Sequence, residues 1–345
     1  MRKSISSVLL LLVSFALYAE QSYQAPLVKE SLLLDIASGD ITVAVGERGH
    51  VLIKRADSDF TQVTVPTQST LTAVTLIGDH IWAVGHDAII LHSSDGGEQW
   101  QVQMYQPELE RPFLDVIFFD SRRGLAIGAY GLFYQTSDGG NSWDSVRHAE
   151  FLNPFDREYL EEIRQEDEEF YQMELNSILP HLNRITRGQN GTLLIAGEAG
   201  LLAMSEDNGQ SWQRLESDYT GSFFDFVQLD SGLMVAAGLR GNILVSEDGE
   251  QWETLQTCNT ATLNSILTGQ NKLSFIGNNG VMVKATLPLQ TSTFDPYAAP
   301  TLNCEPAAGV SVSQTESKSA LLNAVSVDGQ TVVTAADGIY SLSLD

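Results

Sequence analysis

Four stretches of one spelling constrain what this chain can fold into. Residues 93–100 read SSDGGEQW, 136–143 TSDGGNSW, 205–212 SEDNGQSW, and 246–252 SEDGEQW, one residue shorter. A catalytic centre is needed once per domain. A motif used repeatedly along a chain instead marks an array of structural repeats.

Aligning on these octets exposes a longer unit. Residues 71–100, 113–143, 181–212 and 223–252 each hold an apolar run, a polar turn, and a second run ending in glycine. A short glycine-bounded loop, a third run and the octet follow. Weaker copies span 32–60, 262–285 and 321–344, and the marker glycines are Gly46, Gly85, Gly128, Gly197, Gly238 and Gly277. Most steps between them are about 40 residues, the repeat length of WD40-type blades. Each unit reads as four short strands joined by turns. A single unit cannot bury both faces, so neighbours must stack, and a closed ring leaves only short, protected edges. The sequence therefore predicts an all-β, seven-bladed β-propeller of four-stranded blades. The last copy stops after its third strand. Tyr23–Lys29 is expected to supply the missing outer strand and fasten the ring.

The octets have a mechanical reading. Asp95, Asp138, Asp207 and Asp248 can accept hydrogen bonds from the N–H groups of their own turns. Ser93, Thr136, Ser205 and Ser246 add a local hydroxyl bond, and Gly97, Gly140, Gly209 and Gly249 permit backbone angles closed to other residues. Trp100, Trp143, Trp212 and Trp252 are expected to pack on the turn and on the next blade. The octets resemble the Asp boxes (BNR repeats) of sialidases, and that resemblance implies a structural role away from any catalytic centre.

The first nineteen residues read as a secretory signal: Arg2 and Lys3, an apolar core too short to span a bilayer, and cleavage expected after Ala19. The mature chain, 20–345, is then expected to be a single propeller, exported to the periplasm or secreted. The formal charge is −25, or about −27 without Arg2 and Lys3. Such a surface repels nucleic-acid phosphates and anionic lipid, so neither is expected as a partner. Cys258 and Cys304 are the two cysteines. In an exported chain they can pair or remain idle thiols.

Two insertions interrupt the repeats, at about 150–180 and 287–319. In the first, Asn153 and Pro154 begin a helix on which Phe155, Tyr159, Ile163, Phe170 and Met173 fall mostly on one face. Its other face is strongly acidic. It either packs on the blade or contacts a partner. The second, rich in Pro, Ser and Thr, reads as irregular.

Catalytic signatures are weak. The six histidines show no metal-ligand spacing, and no nucleophile elbow or phosphate cradle is present. No metal, no cofactor and no enzymatic activity are expected. Arg48 and Arg240 lie in equivalent loops, GERG and GLRG, without the third equivalent arginine that a sialidase-like carboxylate site needs. The glycine-bounded loops offer varied side chains on a fixed backbone, as a recognition surface requires. The candidate partner-binding residues are Glu47, Arg48, His86, Asp87, Tyr130, Glu198, Arg240, Asn278, Asn279 and Asp337. They are expected on one face with the helical insertion and Cys258, and the octets on the other.

The combination of AVGERG, AGEAG and GLRG with HLNRI at 181–185 resembles the propeller-shaped assembly and stability factors of photosystem II and their bacterial relatives. The resemblance covers nearly all of 32–345. It implies a non-enzymatic scaffold that binds an exported segment of a membrane protein or envelope complex, without spanning the membrane itself, as a monomer. Arg48 and Arg240 match that family's arginine-rich face, whereas the acidity departs from it. A carbohydrate-active propeller, a sialidase-like hydrolase or a glycan binder, is the other reading.

Overall fold

The computed structural model describes residues 20–343, apart from Asp57, Phe294, Pro296 and residues 298–302. The expected signal segment, 1–19, lies outside the described residues. Seven antiparallel sheets follow one another along the chain, at residues 33–63, 71–104, 113–145, 182–215, 223–254, 263–314 and 321–342. Six have four strands and the seventh has three among the described residues. They form the seven-bladed propeller that the repeats predict.

The core is a set of clusters between blades. Val43, Val45 and Ile53 of blade 1 meet Ile81, Ala83 and Leu91 of blade 2. Equivalent clusters join each later pair, and Leu33, Ile36 and Leu52 of blade 1 meet Val332 of blade 7 to close the ring. Every second strand carries four or more consecutive buried residues, because blades cover it on both faces.

The closure differs from expectation. Tyr23–Lys29 forms no strand. Gln62 of blade 1 brackets the segment, its side chain accepting from the Ala25 N–H at 3.0 Å and donating to the Tyr23 carbonyl at 2.8 Å. Ser22 donates its N–H to the Val65 carbonyl at 2.8 Å. Pro26 has no N–H to give a ladder. The segment therefore follows blade 1. Val28, in the short turn Val28–Glu30, is buried in the core between blades 7 and 1, and Ala25 packs against it.

Both insertions also depart in detail. The first is two helices, α1 (Pro154–Glu166) and α2 (Glu168–Ile178), after the expected cap, in which Asn153 Oδ1 accepts from the Asp156 N–H at 3.0 Å. Asp167 ends one helix and caps the next, accepting from the Phe170 N–H at 3.0 Å. Leu160, Tyr171 and Leu175 face the blade, while Phe155, Tyr159, Phe170 and Met173 are exposed. Of the expected apolar stripe only Ile163 packs inward. Before Val310 the described residues of the second insertion form only one isolated bridge, Ser292 with Thr254. Val310–Gln314 is a strand, the fourth of blade 6, and the disulfide Cys258–Cys304 pins the insertion between.

The octets are tight turns. The Ser205 hydroxyl accepts from the Gly209 N–H at 2.9 Å and donates to Asp207 at 2.8 Å, and Asp207 accepts from the Gln210 and Ser211 N–H groups. Ser93, Thr136 and Ser246 repeat the pattern with Asp95, Asp138 and Asp248. The Trp100 and Trp212 indoles donate to the Gly97 and Gly209 carbonyls. The tryptophans pack on the preceding blade rather than the next: Trp212, of blade 4, lies 6.2 Å from the Phe133 ring of blade 3. The turn folds back over its own third strand, which carries the ring to the side the chain came from.

Hydrogen bonds hold Asp138 and Asp207 down at about 2, those from Ser142 and Ser211 foremost. Their unfolded value is about 3.9, so this contribution is complete above pH 4 and lost as pH falls toward 2. Asp207→Asn should flatten the fall in Tm between pH 4 and pH 2. Ser205→Ala, which removes a buried hydroxyl, should cost about 1–2 kcal/mol, measured by denaturant unfolding.

Candidate binding face

In blades 1 to 6 the loop between the second and third strands begins at a glycine pressed onto the blade's own inner strand. A Cβ on Gly46, Gly85, Gly128 or Gly238 would lie 2.1–2.2 Å from a backbone carbonyl oxygen. The N–H of the next residue bonds that carbonyl: Glu47 to Leu32, His86 to Thr70, Leu239 to Ser222. A residue with positive φ then forms the tip, namely Arg48, Asp87, Tyr130, Ala199, Arg240 and Asn279, at φ of 52–60°. The backbone is thus the same in six blades while the side chain varies.

These tips share a face with the crossovers. Gly49 donates its N–H to Ser69, Gly131 to Pro180 and Gly200 to Gly221, each in the segment leading to the next blade. Arg111 donates to the carbonyls of Tyr130 and of Asn176 in α2, which fixes the helical insertion here. Cys258 follows Thr257, whose hydroxyl bonds the Gly241 carbonyl. The octets close the opposite ends of the strands.

Some candidate residues are engaged within the fold. Asp87 accepts from the Ser69 hydroxyl at 2.5 Å, Asn278 from Asn264 at 3.0 Å, and Glu198 lies 3.9 Å from His181. The Tyr130 ring meets His181 edge-on at 4.5 Å. Glu47 is half-buried, while His86, Asn279 and Asp337 are exposed. Arg48 and Arg240 are exposed and make no ion pair among the described residues.

Sequence reasoning missed the central channel, a cavity of about 440 Å³. Every inner strand has a register shift at its start, and such bulges re-aim a side chain. The residue that follows is Asp35, Ala73, Asp115, Arg184, Asp225, Ser265 or Asn323. Arg184, in the HLNRI stretch, lies 3.5 Å from Asp35 and 3.9 Å from Asp115. The carboxylates also bond across blades, accepting the N–H groups of Val74, Ile185 and Ile266 at 2.7–2.8 Å. Burial pushes Asp115 up to about 7 despite Arg184, and raises Asp225. Burial opposes the charge on Arg184, but Asp115, Asp35 and Asp225 together hold it charged. The available signal was a polar residue at one fixed position of the inner strand in six of the seven copies, Ala73 being the exception.

Among the described residues no cluster of three or more His, Cys, Asp or Glu is placed to hold a metal. His80 and His92 meet at 3.0 Å beside Trp82 at the octet end of blade 2, where burial and His80 push His92 down to about 4.

Fold and site define the class: a seven-bladed β-propeller with turns on one face and variable tips on the other. No protein-family profile matches the chain. It is 24% identical over 204 residues, 53% of its own length, to the photosystem II assembly lipoprotein Ycf48 of Synechococcus sp. strain CC9902. It is 25% identical over 199 residues to the photosystem II assembly protein Ycf48 of strain JA-2-3B'a(2-13). The matches span 61% and 51% of those relatives. Among solved structures, a YCF48 bound to D1 peptide superposes with a TM-score of 0.63 at 15% identity, covering 93% of this chain and 94% of that one. YCF48 from Cyanidioschyzon merolae gives 0.64 at 17%, covering 93% and 97%. The WD40 propeller of Doa1 gives 0.60 at 9%, covering 95% and 96%. At these identities all three superpositions show the fold alone. The chain resembles the photosystem II assembly-factor propellers.

Replacing Arg184 by Met leaves Asp35 and Asp115 buried without their cation. At pH 8 the loss of stability should be about 3–5 kcal/mol. It should shrink at pH 5, because a carboxyl whose folded value is raised is favourable in its protonated form and becomes costly as pH rises. Unfolding at the two pH values measures both.

Proposed function

We propose that the chain is an exported, non-enzymatic binding scaffold that assists assembly or stability of a membrane protein complex, its tip face receiving an exported segment of that complex. The observation that carries this reading is the set of six superimposable loop tips, rigid in backbone and different in side chain, beside an insertion that exposes Phe155, Tyr159 and Met173. The likeness to the photosystem II assembly proteins supports it, as does the solved relative with a D1 peptide bound. Among the described residues no helix is long and apolar enough to cross a membrane. Arg48 and Arg240 supply cationic contacts in an otherwise acidic surface. Membership of the periplasm and a monomeric state belong to this reading.

A glycan-binding alternative rests on one groove of about 810 Å³, lined by Tyr219, Trp252 and Tyr297 with Glu216, Asp218 and Asp295. Aromatic faces with carboxylates suit sugar rings. A sialidase-like reaction fits less well, because Arg184, the arginine lining the channel, is already held by carboxylates. Titration with glycans decides between the two.

The tagged full chain, taken through gently solubilised envelopes, should retain a specific membrane protein. Arg48→Glu with Arg240→Glu should reduce that recovery about tenfold and leave Tm unchanged, as exposed substitutions do. Ser205→Ala should lower Tm and leave recovery intact. The opposite pattern places binding on the octet face.

A further inference from the structure

Among the described residues nothing fills the outer strand position of the seventh blade. Its last strand, Gly338–Leu342, pairs with Gln330–Ala335 on one side. Among the described residues no backbone group bonds its other side. In the other six blades a fourth strand fills that position.

The path of the N-terminal segment explains the opening. A Cβ on Gly49, Gly200 or Gly241 would meet the carbonyl of Thr67, Tyr219 or Asn259, each a few residues past a fourth strand. A Cβ on Gly338 would meet the Lys29 carbonyl in the same way. Lys29 therefore occupies the usual crossover, and the residues before it should be the fourth strand. They turn instead to Gln62, Thr64 and Val65 of blade 1.

The open edge is ready to pair. Tyr340 is equivalent to Phe133 and Ile243, counted from the loop glycine, and the carbonyls of those two accept the N–H groups of Val146 and Leu255 next to their fourth strands. Leu342 is equivalent to Ile53, which lies directly opposite Thr61 of the fourth strand of blade 1. The N–H and C=O of Tyr340 and Leu342 thus point outward. Exposed edges are usually blunted by charge, proline or a bulge, and Gly338–Leu342 (GIYSL) has no charge and no proline.

We propose that this edge accepts an extended segment of another protein as the fourth strand of blade 7, by β-strand addition. The segment alternates apolar and polar residues, as Val310–Gln314 does in blade 6, and carries basic residues. A chain with 44 acidic and 19 basic side chains attracts such a segment and repels an acidic one. The site lies on the rim, and does not depend on the tip-face reading.

The test uses a fluorescent peptide that copies Val310–Gln314 between flanking lysines, added to the full chain. It should bind saturably and slow amide exchange at Tyr340 and Leu342. A glutamate-flanked peptide should bind about tenfold more weakly. Leu342→Pro removes one outward N–H, which an edge position tolerates, and should weaken binding about tenfold. A second variant carries the same strand sequence tethered after the C-terminus by a Gly-Ser linker. It should fill the position, abolish binding and raise Tm. Absent protection at the edge, protection confined to the tip loops, or undiminished binding to the tethered variant overturns the proposal. So does a dimer of the parent chain that Leu342→Pro makes monomeric, because the occupant is then a second copy.

Discussion

A propeller blade is apolar on both faces, and the contact between the last blade and the first is the one that every other contact depends on. Leu33, Ile36 and Leu52 have no cover until Val332 and Val28 reach them. Polar bonds reinforce the joint: Asn323 of blade 7 donates to Asp35 of blade 1 at 2.5 Å, and Asp35 accepts the Val74 N–H of blade 2. With the ring closed, the inner strands are held in one register around the channel. The loop glycines then press on the carbonyls beneath them, and the tips take one geometry. The proposed binding face is a consequence of closure.

The two faces divide the work along physical lines. On the octet face the polar side chains are spent on their own turns, as the depressed Asp138 and Asp207 carboxyls show. On the tip face the backbone bonds itself to the crossovers. That arrangement frees side chains such as Arg48 and Arg240. The channel between the faces is an ion network whose members bond one another and neighbouring blades, so it reads as a tie between blades.

Whatever depended on spacing within one blade was legible in the sequence. The repeated apolar runs, six of them ending in a marker glycine, gave seven units, the octets gave the turns of four, and the glycine-led loops gave the tips. Features that depend on how distant segments meet were not. Tyr23–Lys29 has the composition of a strand, but Pro26 and the reach of Gln62 divert it to blade 1. A single helical stripe was read across Asp167, where a cap rotates the second helix and leaves Phe170 and Met173 outside. Asp35, Asp115 and Arg184 are far apart along the chain and meet only across the channel. The edge of blade 7, open among the described residues, follows from the N-terminal path, which joins segments far apart in sequence.

The central claim is that the tip face receives a segment of a membrane protein. Site-specific photocrosslinking in intact cells addresses it most directly, with a photoreactive residue at position 130 or 240 on the tips and at position 98 or 250 on the octet turns. The account predicts cross-links from the tip positions to one exported segment of a membrane protein, and none from the octet positions. Cross-links to that segment from positions 98 and 250, with silence at 130 and 240, would contradict it.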